Sequence, residues 1–404
     1  MAATYADHNH WSVFLRGLLN KFTKYETSRG VEFKSPAIGL CNRLVQLIVL
    51  SYIVGIVFVA DKGYQEFDTG ESSVVAKVKG NQAHINKDAA AADMFNVEGG
   101  VTWDATDVVI PPLENNALFI MTKVSMTPKQ VQGKCPEEFQ INVNETKCYK
   151  DDDCKIGTTV HFGHGFHSGS CVASTGTCEV HAWCPLEDDK RRSIVLSGGE
   201  NLTILVKNFV MFPRMRIRRR NLGELPERYV KHCTYDPVSD PLCPIFVLKD
   251  IARLAGGDFL SMATHGAVVS FAIHWDCNLD FHIRHCMPTY SFRRLDDPKE
   301  TNSPGWSFRI SGYWLDNDEQ ARYLLKATGI RIVFNVYAVA GRFSIVKFTM
   351  NLGSGLGLLG MATLLCDYIL FNCARPEVRR ERERLAVVDV GTTPILRRDS
   401  RLPR

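Results

Sequence analysis

Seventeen consecutive residues without a charge, Leu44 to Ala60 (LVQLIVLSYIVGIVFVA), are closed by Arg43 on one side and Asp61 on the other. That length is close to what a helix needs to cross a hydrocarbon layer of ~30 Å. A second stretch, Phe348 to Cys373, is also long enough, but it carries Asn351, Asp367 and a glycine-rich middle. The 45% hydrophobic content of the whole chain would suit a soluble protein and hides both spans.

Basic residues set the expected topology. Arg16, Lys21, Lys24, Arg29, Lys34 and Arg43 precede any completed apolar run, which argues against a cleavable signal peptide, and nine arginines follow the second span. The positive-inside bias places both termini in the cytosol of a multi-pass plasma-membrane protein. The formal net charge of +4 is then largely a topology signal. The thirteen cysteines divide the same way: ten lie between the spans, an even number suited to an oxidising compartment, while Cys41, Cys366 and Cys373 lie at the cytosolic side. Sequons at Asn144 and Asn201 fall in the outer interval.

These signals divide the chain into a cytosolic segment 1–43, a first transmembrane helix 44–60, an extracellular domain 61–347, a second transmembrane helix 348–373 and a cytosolic tail 374–404. Within the outer domain β-branched and aromatic runs predict strands at Ser73 to Val78, Ala117 to Met126, Leu202 to Val210, Ala267 to Trp275 and Ile330 to Val339. One helix is expected from Asp316 to Thr328, opened by Asp/Asn caps and stopped by Gly329. Residues 135–184 hold six cysteines among Gly, Ser and Thr, the pattern of a small lobe that needs disulfides to hold together.

A lipid-facing Asn or carboxylate is costly, so Asn351 and Asp367 should face protein or water. Two helices cannot enclose a water-filled path, so a pore lined by Met350, Asn351, Ser354 and Gly357 requires several copies of the chain; close helix packing is the plainer reading of the same small residues. Lys77 and Lys79, two apart in a strand, project from one face and would welcome an anion such as a phosphate chain, although on the pattern alone a solvated face is the favoured reading. Arg309 and Lys326 are further candidates. His161, His164 and His167 could bend around a modulatory divalent cation, but a solvent loop without metal is the expectation, and no resident cofactor is implied. The run Arg214 to Arg220 reads as an exposed basic face. No nucleophile elbow, Walker loop or paired metal-binding carboxylates occur, so an enzyme is not expected.

Several motifs together resemble one family. Lys77-Val78-Lys79-Gly80, Ala182-Trp183-Cys184-Pro185, Asn201-Leu202-Thr203 with Val206-Lys207-Asn208, Cys243-Pro244-Ile245-Phe246, Trp275-Asp276-Cys277-Asn278-Leu279-Asp280, Tyr290-Ser291-Phe292-Arg293-Arg294-Leu295-Asp296, and Gly353-Ser354-Gly355 before Cys366-Asp367 are similar to the P2X family of ATP-gated purinergic receptor cation channels. The wording is nearest the fourth vertebrate subtype or an invertebrate relative.

The resemblance implies a homotrimer, or a heterotrimer with related subunits, in membrane lipid, with extracellular ATP bound between neighbouring subunits and sodium, potassium and calcium passing through the pore. It implies phosphate contacts from Lys77, Lys79, Arg309 and Lys326, with Ser307 standing where the family usually has Asn, and adenine contacts from Thr203 and Leu205. It also implies disulfides Cys135–Cys184, Cys148–Cys171, Cys154–Cys178, Cys233–Cys243 and Cys277–Cys286. The alternatives are an ecto-nucleotidase, which would need a phosphate-cradling loop and a catalytic carboxylate, and a degenerin-type ligand-gated channel, which would need a larger ectodomain.

Overall fold

The computed structural model describes residues 36–84, 101–138, 146–159, 161, 163–188, 193–223, 225–300 and 305–373, with the backbone alone at 36–38, 83–84, 101, 366–367 and 369–373. Most of both cytosolic segments, the sequon at Asn144 and the side chains of Asp367, Cys366 and Cys373 therefore lie outside the described residues. The chain forms two compact units, one of residues 1–65 with 344–404 and one of Glu66–Phe343.

The first unit holds two helices long and apolar enough to cross a membrane. The first, α1, runs as α-helix over Pro36–Tyr52 and continues in wider π turns over Ile53–Ala60.

The second unit is β-rich. In chain order its strands are β1 (Gln65–Thr69), β2 (Glu71–Lys79), β3 (Gln82–His84), β4 (Val101–Trp103), β5 (Ala117–Pro136), β6 (Phe166–Val172), β7 (Thr177–Cys184), β8 (Ser193–Val195), β9 (Thr203–Phe212), β10 (Ile217–Arg220), β11 (Ile245–Val247), β12 (Ala267–Asn278), β13 (Thr289–Arg294), β14 (Ser307–Asp316) and β15 (Glu319–Phe343). Helices α2 (Leu248–Leu254) and α3 (Phe259–His265) interrupt them, and α4 (Ile345–Cys373) is the second spanning helix, in the first unit. A nine-stranded sheet runs β13-β12-β15-β5-β7-β6, with β1 and β14 also on β15 and β8 on β5; β2, β9, β10 and β11 form a second sheet.

Alternation explains both sheets. Along β12, Ala267, Val269, Phe271, Ile273 and Trp275 are all buried, and along β9 so are Ile204, Val206, Asn208, Val210 and Phe212. These inner faces meet through rings: Phe246 of β11 stands edge-on to Phe271 of β12 with centroids 4.7 Å apart. A buried polar network crosses the same seam. Asn208 Oδ1 accepts from Trp275 Nε1 at 2.6 Å, while its Nδ2 donates to the Ser73 carbonyl at 3.0 Å. Every buried amide atom so partnered removes an alternative packing, because leaving one unpaired would cost about 1–3 kcal/mol.

Two expectations change. Residues 316–328 are not helical: β14 and β15 pair antiparallel from Ser307↔Thr328 to Asp316↔Glu319. Asn317 and Asp318 both take positive φ, 50° and 68°. Asn and Asp tolerate that left-handed region and close a two-residue hairpin, so the residues that resemble helix caps are the turn itself. Within the arginine run Arg219 is buried, donating from Nε and Nη2 to the Cys286 carbonyl at 3.2 and 3.1 Å.

The five pairs that the resemblance implies are disulfide-bonded. Three of them staple the lobe 135–184, whose separate core is Cys148, Cys154 and Cys178. Such cross-links typically stabilise by about 2–4 kcal/mol each. The three histidines do not converge there. His164 Nδ1 lies 2.7 Å from Glu137 Oε1 and its backbone N–H donates to Oε2 at 3.0 Å, whereas His167 Nδ1 meets Thr158 Oγ1 at 3.1 Å.

The hydrogen bond to Glu137 raises the His164 pKa against the opposing effect of burial. Burial pushes the Glu137 carboxyl up, but the hydrogen bonds it accepts from His164 and from the Glu138 N–H outweigh that and hold it low. The imidazolium contribution is thus complete below about pH 6.5 and lost as pH rises through the raised His164 value, while the carboxylate contribution is lost only as pH falls through the lowered Glu137 value. Amide exchange in β6 and β7, corrected for intrinsic base catalysis, should lose protection as pH rises through the raised His164 value. His164→Ala should abolish that dependence; protection indifferent to alkaline pH in the native chain would contradict it.

Candidate functional site

The register of β2 against β9 puts Lys77 opposite Leu205 and Lys79 opposite Thr203. Directly opposed residues share a face, and here it is the outward one, since Ala76, Val78, Ile204 and Val206 point into the core. Thr203 Oγ1 donates to the Lys79 carbonyl at 3.2 Å, which pins its hydroxyl beside the lysine. Gly80 closes the strand at φ 122°, where an added Cβ would lie 2.9 Å from the Leu202 side chain. Neither ammonium is ion-paired among the described residues.

Lys207 belongs to this face as well. It opposes Val75, diagonal to Lys77, and is exposed. Counting by twos from Thr203 through Leu205 arrives at it, so the period-2 signal was present in the sequence.

The second candidate group sits on β14 and β15 in the other sheet. Arg309 pairs directly with Lys326, and Ser307 with Thr328. Their partner was not anticipated: Glu187, just after the stapled lobe, receives Arg309 Nε on Oε2 at 2.9 Å and stands with Oε1 3.7 Å from Lys326 Nζ. The Glu187 side chain is only 10% exposed. A carboxylate withdrawn from water this far is held by its cations. No described contact joins this group to the Lys77 group within one chain.

In the membrane unit, Gly355 of α4 packs on Ile53 of α1, where an added Cβ would sit 3.1 Å from the Ile53 side chain. Phe58 and Phe348 rings lie 5.7 Å apart. Asn351 Nδ2 donates to the Gly63 carbonyl at 2.5 Å, so its amide satisfies the chain leaving α1. At about 100° per residue, Asn351, Gly355 and Ala362 share the side that packs on α1. Met350, Ser354, Gly357 and Met361 lie on an adjacent, exposed side. Of the four expected pore residues, Asn351 is thus half-buried against the chain leaving α1, and Met350, Ser354 and Gly357 are exposed.

The family model for the ATP P2X receptor matches residues 23–384. The chain belongs to the P2X receptor family. It is therefore an ATP-gated cation channel and not an enzyme, which sets aside the ecto-nucleotidase and degenerin readings. The chain is similar to P2X purinoceptor 4 of Mus musculus, 43% identical over 362 residues covering 87% of this chain and 90% of that protein. Against P2X purinoceptor 2 of Mus musculus identity is 38%, covering 88% of this chain and 72% of the relative. Among solved structures, the invertebrate P2X receptor from the Gulf Coast tick, crystallised with ATP and Zn2+, superposes with a TM-score of 0.72 at 38% identity, covering 81% of this chain and 99% of that one. The chicken ATP-gated P2X7 receptor with the competitive antagonist TNP-ATP gives 0.70 at 30% identity, covering 83% and 100%.

For a P2X receptor the Glu187 contact has a consequence for potency. Removing its charge should remove a competitor for Arg309 and Lys326, so Glu187→Gln should shift the ATP concentration–response curve to lower concentration by roughly threefold or more. A curve shifted to higher ATP, at equal surface expression, would show that Glu187 supports binding instead of competing with it.

Proposed function

We propose that this chain assembles as a trimer in the plasma membrane, both termini cytosolic, and that extracellular ATP binds where one subunit's Lys77 face meets a neighbour's Arg309 face. The observation that carries this is the division of the cations. Lys77, Lys79 and Lys207 stand on one sheet and Arg309 with Lys326 on another, each set on one strand face. A triphosphate carries more negative charge than either set alone would neutralise, and charge-assisted hydrogen bonds from both would hold it.

In this reading the phosphates take Lys77, Lys79, Arg309 and Lys326, with Ser307 offering a shorter donor than the usual Asn, while the base rests against Thr203 and Leu205. The incoming phosphates replace the Glu187 carboxylate on Arg309 and Lys326, so the exchange swaps one ion pair for another and leaves no cation unpaired. The strand β15 that presents Lys326 runs on for seventeen residues to Phe343, roughly 55 Å of continuous chain, before α4 begins. A displacement at the nucleotide is passed down that strand to the membrane helix, and ATP opens the channel because the open arrangement binds it more tightly. Met350, Ser354 and Gly357 then line the widened path, with Asn351 holding the outer end of α1 beside it, and sodium, potassium and calcium follow their gradients. Glycans at Asn201 and Asn144, a modulatory divalent cation and heteromeric partners belong to the same proposal.

Whole-cell recording tests it. ATP applied outside cells expressing the chain should evoke an inward cation current at negative voltage. Lys79→Ala should reduce the response by at least about a hundredfold in ATP sensitivity, since several charge-assisted contacts of ~1.5–3 kcal/mol are at stake, while surface trimers persist. An undiminished response at ordinary ATP would remove Lys79 from the site.

A further inference from the structure

Glu187 does not reach the cations by itself; it stands at one end of a five-residue segment, Trp183 to Glu187, anchored at the other. The face of β14 and β15 that presents Arg309 and Lys326 also presents Tyr313 and Arg322, because Tyr313 is four residues beyond Arg309 and Arg322 four before Lys326 on alternating strands. At that far end the Arg322 guanidinium lies over the Trp183 ring, 4.5 Å from its centroid. The Tyr313 ring meets the same indole edge-on with centroids 5.9 Å apart. Between the two ends the backbone is held from β5. Gln130, 2% exposed, donates from Nε2 to the Trp183 carbonyl at 3.3 Å and to the Pro185 carbonyl at 2.7 Å, and its Oε1 accepts from Arg322 Nε at 2.8 Å. Tyr313, Arg322 and Gln130 are register partners across three adjacent strands.

We propose that Trp183–Glu187, which leaves β7 after Cys184, is a strap laid across the β14–β15 face, and that Gln130 and Arg322 are positioning residues which, by holding the Pro185 carbonyl and the Trp183 ring where the chain departs from β7, keep the Glu187 carboxylate on the cations that ATP must claim. This rests on the nucleotide reading above and deepens it by naming what sets the strength of the competitor. Neither residue touches Arg309, Lys326 or Glu187 in the described contacts; they act through the strap backbone. With the Pro185 carbonyl held, Glu187 meets Arg309 without losing further chain freedom. With it released, each ion pair must order the piece beyond β7 anew, and the carboxylate competes less well.

The test is a double-mutant cycle read as ATP sensitivity per surface-labelled channel. Gln130→Met keeps the volume and removes both donors and the acceptor for Arg322. In the native background it should lower the half-maximal ATP concentration by about threefold or more; in a Glu187→Gln background that shift should vanish, since there is no carboxylate left to position. An equal shift in both backgrounds, or a shift to higher ATP in the native one, overturns the proposal and leaves Gln130 as ordinary packing. Should Gln130→Met fail to reach the surface, Arg322→Lys carries the same cycle: it keeps the charge, loses the planar stack on Trp183 and should reproduce the Glu187-dependent shift. The native chain separates the two claims. Native channels that give no ATP current refute the nucleotide site, whereas ATP currents with additive variants refute only the strap.

Discussion

The strand Glu319–Phe343 is the constraint on which the ectodomain depends. It pairs in parallel with β12 along one edge and antiparallel with β5 and β14 elsewhere, so the register of three neighbours is set against a single chain of twenty-five residues. A slip of one residue would reverse which side chains face the core. The same register therefore decides both what is buried, from Ala327 through Ile330 and Ile332, and what is presented, Arg322 and Lys326. Positions of functional cations are consequences of core packing, which fixes them more firmly than a loop could.

Much of this was legible in the residues. A charge-free run of spanning length admits few alternatives in a bilayer, and the even count of outer cysteines agrees with it. The five strands expected from β-branched and aromatic runs fall on observed strands, Leu202 alone lying just before β9, because such side chains suit a half-buried pleated surface. The segment 316–328 misled because Asn and Asp begin helices and also close hairpins, and only the long-range partner β5 selects between these. Glu187 left no local trace: it stands in an ordinary acidic stretch, and what distinguishes it is Arg309, 122 residues away. Arg219 was hidden in its run of like residues for the same reason, and its acceptor is a carbonyl 67 residues distant.

Electrostatics give the site its logic. Lysines and arginines gathered on strand faces repel one another, and in the nine-stranded sheet the structure answers that repulsion with one carboxylate shared by two cations. In the four-stranded sheet no counter-ion is found among the described residues, and Lys77 and Lys79 are exposed. In the proposed site one half is thus preoccupied and the other open, an asymmetry that would let a polyanion dock on the lysines before displacing Glu187. The cost of exchanging one buried anion for another is small compared with creating an uncompensated cation, which makes such a contact suited to reversible switching.

The central claim is that the two half-sites belong to different copies of the chain. Co-expression tests it directly: Lys79→Ala and Lys326→Ala chains each lack one half-site, and mixed trimers contain an interface in which both halves are intact only if the halves come from neighbours. Photo-crosslinking with a labelled ATP analogue should therefore be nearly absent from either variant alone and return when the two are expressed together. Labelling that stays absent in mixed trimers of confirmed composition would place both half-sites in one chain and contradict the account.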